Sequence, residues 1–104
     1  MSKVIQSPAS ARKLSAREAR LAVALLQGWV LKGKRIQRTY LLPNFVAALR
    51  FVNAVGRLAE RAKHHPDIDI RWNKVTLALT THDSGGLTQK DVDLAKACDG
   101  KARR

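Results

Sequence analysis

The 104 residues are 45% hydrophobic and 27% charged, with a formal net charge of +12. That length fits one domain with a single core, and no run approaches the roughly 18 apolar residues that a membrane span needs. The lone cysteine, Cys98, excludes an internal disulfide and a cysteine-based zinc cluster, so a reducing, cytoplasmic compartment is expected.

The charge is uneven. Residues 1–63 hold 13 Lys/Arg against two Asp/Glu, whereas residues 64–100 hold four against six. A basic excess invites nucleic acid as a partner. An aromatic content of 5% offers few stacking platforms, however, so nucleic acid is not the expected partner. Charge that keeps the protein in solution is the plain alternative.

Residues 1–13 read as a flexible basic lead; an organelle transit peptide is the other reading of this Ser/Ala-containing start. Residues 14–99 read as the folded domain, and 100–104 as a basic tail. The first helix begins after Ser15, because Ser15-Ala-Arg-Glu18 is a capping box. Ala19, Ala22, Val23 and Leu26 recur at helical spacing, and Gly28 is a natural stop. Two short strands follow, "WVLKG" and "RIQRTYLL", with Gly33 between them as the hairpin turn.

Pro43 and Asn44 open the second helix. Its apolar stripe is Phe45, Leu49, Val52, Val55, Ala59 and Ala62, and it runs to about Lys63, where Pro66 ends it. "DIDIRW" and "KVTLALTTH" then alternate as strands, with "NK" as the tight turn between them. The last helix starts at Thr88, with Leu87 and Val92 spaced as a hydrophobic staple. The order αββαββα predicts an α+β domain of two layers: a four-stranded antiparallel sheet with helices on one face.

The three histidines carry the chemistry. His64 and His65 precede Pro66, and His82 ends the last strand. Metal binding lacks support, since there is no HExxH spacing, cysteine pair or histidine cluster. Solvated histidines at a helix end are a simple alternative, favoured by the C-terminal dipole. The catalytic reading has Glu60, at i−4 from His64 on the same helix face, orienting that imidazole. The strand pairing can bring His82 to the same end of the sheet. Imidazoles titrate near neutral pH, so two of them can divide acid and base duties.

These residues resemble the pterin-4a-carbinolamine dehydratases. Glu60, then His64-His65-Pro66, Trp72, His82 and Asp91 match the spacing of that family's signature, and "WNKVTLALTTHDSGGLTQKD" is similar along its length. The resemblance covers roughly residues 14–99. It implies dehydration of 4a-hydroxytetrahydropterin to quinonoid dihydropterin, in tetrahydrobiopterin regeneration, with no metal or organic cofactor. It implies His64 and His82 as acid/base residues, His65 and Trp72 as substrate-binding, and Glu60 and Asp91 as orienting residues. It further implies a homotetramer, a dimer of dimers in which the sheets of each dimer join edge to edge, and, by analogy with animal relatives, a transcription-factor partner. The competing reading is a basic binding module that keeps the fold without the catalysis.

Overall fold

Polar side chains start the helices of this chain by taking up backbone N–H groups that have no partner in the first turn. Ser15 Oγ accepts from Glu18 N at 3.1 Å, and Glu18 Oε1 accepts from Ser15 N at 2.8 Å, completing the capping box. Asn44 Oδ1 accepts from Ala47 N at 2.9 Å. The computed structural model describes residues 12–102. Over these residues the order is α1 (Ala16–Ala24), β1 (Val30–Lys32), β2 (Arg35–Leu41), α2 (Phe45–Ala62), β3 (Asp67–Arg71), β4 (Lys74–Leu79) and α3 (Gln89–Ala102), with a 3-10 turn at His82–Ser84. Residues 1–11 of the expected lead, and 103–104 of the expected tail, lie outside the described residues. The tail's residues 100–102 belong to α3.

The strands form one antiparallel sheet in the order β1-β2-β4-β3. Alternation gives the sheet one buried and one open face. Ile36 and Tyr40 of β2, with Val75, Leu77 and Leu79 of β4, are buried under the helices. On the open face Thr39 and Thr76 pair through their hydroxyls at 2.8 Å. Each of the fully buried aliphatic side chains contributes about 1.5–3 kcal/mol relative to exposure. The expected α+β architecture is the observed one. No helix among the described residues is long and apolar enough to cross a membrane.

Three local expectations are corrected. α1 ends at Ala24 rather than running to Gly28. Leu25 and Leu26 instead donate three residues back, to Ala22 and Val23, so the chain tightens out of the helix. On α2 the buried line is Ala48, Phe51, Val55 and Ala59. Phe45 and Leu49 are 44% and 40% exposed. Val55 and Ala59 belong to both lines and Val52 packs against the core, whereas Ala48 and Phe51 take the inward positions expected of Phe45 and Leu49. Finally, β3 pairs with β4 through Arg71↔Lys74, so the turn is Trp72-Asn73 and not Asn73-Lys74. Trp72 adopts φ +56°, and the Asn73 side chain donates to Leu42 O at 2.9 Å, holding this turn against the loop before α2.

Asp99 of α3 anchors the helical layer to the first hairpin. Its carboxylate accepts from Tyr40 Oη at 2.6 Å, Arg38 Nη1 at 2.9 Å and Trp29 Nε1 at 3.1 Å. Arg38 also lies over the Tyr40 ring, 4.5 Å from its centroid. Gly28 is required here, because it sits at φ +87° and an added Cβ would lie 2.8 Å from Arg38 Nε. Burial, the neighbouring Asp99 second, pushes the Cys98 thiol up to about 12. Burial also raises Tyr40, helped by its hydrogen bond to Asp99.

Asp99→Ala would strand the Arg38 charge and the Trp29 and Tyr40 donors. We expect a loss of about 2–3 kcal/mol in urea unfolding, at the low end for a buried pair because Arg38 is partly exposed. The raised Cys98 and Tyr40 groups stabilise the fold fully below their unfolded values of 9.0 and 10.0. That contribution is lost as pH rises through about 12 for Cys98. Melting temperature should therefore fall between pH 9 and pH 12, and the decline should be shallower in Cys98→Ala.

Candidate active site

The end of α2 decides where the histidine doublet points. Lys63 adopts the left-handed conformation, φ 53° and ψ 42°. Its N–H bonds Glu60 O, and the N–H of His64 bonds Ala59 O at 3.1 Å. These are the two hydrogen bonds of a Schellman cap. The left-handed residue costs about 1–2 kcal/mol at a non-glycine position, which the two bonds offset. The helix thus ends at Ala62, before Pro66 can act on it, and the chain reverses into β3.

That reversal changes a pairing expected from helix geometry. Glu60 does not meet His64. Its Oε2 lies 2.5 Å from His65 Nε2, on the exposed side. His64 turns inward, with its side chain 9% exposed, and its Nε2 lies 2.6 Å from Asp91 Oδ1. An i−4 spacing brings Glu60 and His64 together only where the helix continues through residue 64, and the left-handed Lys63 ends it first.

Asp91 is fully buried in the first turn of α3. Its Oδ2 accepts from Thr88 N at 2.9 Å and Thr81 Oγ1 at 2.8 Å. Thr88 Oγ1 lies 2.8 Å from Thr81 Oγ1 and accepts from Lys90 N at 3.2 Å. Because the Thr81 hydroxyl donates to Asp91, Thr88 must donate to Thr81. A buried carboxylate requires such donors. Since the carboxylate accepts from His64, Nε2 carries the proton of a neutral His64 imidazole and Nδ1 keeps a lone pair. Among the described residues, Nδ1 has no hydrogen-bond partner.

His82 is held differently. Beyond β4, Thr81 and Gly86 exchange backbone hydrogen bonds of 3.0 and 3.3 Å, closing a four-residue loop around the 3-10 turn. Gly85 completes the loop at φ 74°. His82 is exposed, and its ring forms no hydrogen bond among the described residues. His64, His65 and His82 line one cleft of about 260 Å³, with Thr80, Thr81 and Lys90 among its other walls. No group of three or more His, Cys, Asp or Glu side chains among the described residues is arranged to hold a metal ion. Trp72 is not in this cleft. It is exposed at the far end of β3, about 17 Å of strand from the doublet.

The sequence marks Thr88 only as the start of the last helix, and nothing in it singles out Thr81. The Thr88-x-x-Asp91 spacing is itself a capping pattern, and it would have directed the Asp91 carboxylate back toward Thr88 N. Thr81→Val should destabilise the protein by about 1–2 kcal/mol in urea unfolding, because Asp91 loses a buried donor. Thr81→Ser, which keeps the hydroxyl, should recover most of that.

Residues 12–101 match the family model described as pterin 4 alpha carbinolamine dehydratase. A relative from Roseiflexus sp. (strain RS-1), named for pterin-4-alpha-carbinolamine dehydratase, is 56% identical over 89 residues, 86% of this chain and 96% of its own length. One with the same name from Chloroflexus aurantiacus is 58% identical over 84 residues, 79% of this chain and 90% of its own. A crystal structure described as a transcriptional coactivator/pterin dehydratase from Brucella melitensis superposes with a TM-score of 0.84 at 29% identity. It covers 88% of this chain and 99% of that one.

Proposed function

The chain belongs to the pterin 4 alpha carbinolamine dehydratase family, and from that premise we propose that it is a hydro-lyase converting a 4a-hydroxytetrahydropterin to quinonoid dihydropterin and water by histidine acid/base catalysis. The observation that carries the mechanism is the convergence of three histidines on one cleft, one of them locked to a buried carboxylate and one without a hydrogen-bond partner among the described residues.

Loss of water breaks the C4a–O bond and the N5–H bond and forms the C4a=N5 double bond. The hydroxyl needs a proton to leave as water, and N5 must give one up. His64, with Nε2 donating to Asp91, offers Nδ1 as the base for the N5 proton. His82, exposed and without a protein partner among the described residues, exchanges protons with solvent and supplies the acid. The two imidazoles then return to their starting states through solvent. His65, steered by Glu60 at the rim, contacts substrate, and Asp91 positions His64. Holding both groups against one ring replaces separate encounters with solvent acids and bases.

The physiological role we assign is tetrahydrobiopterin regeneration in the cytoplasm. We also assign a homotetramer, a dimer of dimers in which a sheet edge joins the two chains of each dimer. Strands β1 and β3 are the edges of the sheet, and they carry the exposed apolar side chains Val30 and Ile68. A transcription-factor partner rests on the coactivator description of the Brucella melitensis protein alone.

Stopped-flow mixing with freshly generated 4a-hydroxytetrahydropterin tests the enzyme reading. Wild type should accelerate dehydration, and His64→Ala or His82→Ala should each lower the catalysed rate by about 10²–10⁴-fold. Absence of acceleration by folded wild-type protein would remove the dehydratase reading and leave the basic binding module.

A further inference from the structure

A second cleft, of about 510 Å³, adjoins the histidine cleft and shares Thr80 and His82 with it. Its other walls are Lys32, Lys34, Arg35, Gly85 and Gly86. No carboxylate among the described residues lines it. The three cations come from the tip of the β1–β2 hairpin, where Lys32 pairs with Arg35 across the Gly33-Lys34 turn. Their closeness to His82 is built in. Thr80 Oγ1 donates to Lys34 O at 2.6 Å, tying the hairpin tip to the strand that leads into His82. None of the three cations has a carboxylate partner among the described residues, and residues 1–11 contain no Asp or Glu. Arg12, Arg38 and Arg71, by contrast, each pair with an acid.

Three unneutralised cations converging on one concave site repel one another unless an anion joins them. Lysine and arginine together match the several oxygens and near-double charge of a phosphate monoester. We propose that this cleft binds a phosphate group carried on the side chain of a pterin whose ring occupies the histidine cleft, so that the site takes phosphorylated pterins beside tetrahydrobiopterin and holds them more tightly than their unphosphorylated parents. The inference rests on the pterin reading of the histidine cleft and adds the chemistry of the substituent. His82 sits at the junction, with the reacting ring on one side and the anionic group on the other.

The test is equilibrium binding, which requires no turnover. A 7,8-dihydropterin with a hydroxylated C6 side chain and its phosphate monoester are titrated against the full chain at low salt, with inorganic phosphate as a third ligand. We expect the ester to bind at least tenfold more tightly than its parent, and the preference to shrink with added KCl. The double variant Lys34→Ala/Arg35→Ala should bring the ratio near one, and Lys34→Arg/Arg35→Lys should keep it. Equal affinity for ester and parent in wild type would overturn the proposal alone, as would a preference unchanged in the double variant. Inorganic phosphate binding as tightly as the ester would mark a free-anion site and overturn it too. Binding of neither pterin would overturn the pterin reading and this proposal with it.

Discussion

A single buried carboxylate, Asp91, constrains three separate parts of the chain. An anion without solvent must be surrounded by donors or it will not stay ionised in the interior. The donors come from the backbone at the start of α3, from Thr81 beyond β4, and from His64 beyond α2. Satisfying this one group therefore fixes how the last helix meets the sheet. It also fixes which way the inward imidazole faces. Fold and site share the same hydrogen bonds, so the orientation of His64 is a by-product of stabilising the domain.

Asp99 does for the hairpin side of the molecule what Asp91 does for the cleft. Both lie on α3, and both are reached by groups from the sheet or the loops beside it. The two differ in their partners. Asp99 is closed off by an arginine and two aromatic donors and serves the fold through those polar contacts. Asp91 ends in an imidazole whose other nitrogen has no partner among the described residues. The chemistry of the site arises from that difference between otherwise parallel anchors.

Local rules in the sequence captured the elements, because caps, alternation and glycine turns act over a few residues. Ser15-Glu18, Asn44 and the alternation of Val75, Leu77 and Leu79 all reappear in three dimensions. The choice of partner did not follow from local rules. Glu60 meets His65 and not His64 because one lysine adopts a conformation usually left to glycine, and no spacing rule anticipates that. Asp99 lies 59 to 70 residues from its side-chain donors, so only the tertiary fold brings them together. The signature that links Trp72 to the histidines is linear, whereas the strand carries Trp72 away from them within one chain.

The cap at Lys63 has a mechanical meaning. An α-helix turns about 100° per residue, so a side chain placed on it rotates with any change in its packing. By leaving the helix at Ala62 before the doublet begins, the chain sets His64 and His65 by the geometry of a two-bond joint. Both acceptors of that joint, Ala59 O and Glu60 O, lie in the last turn of α2, so the doublet follows that turn as a latch follows its hinge.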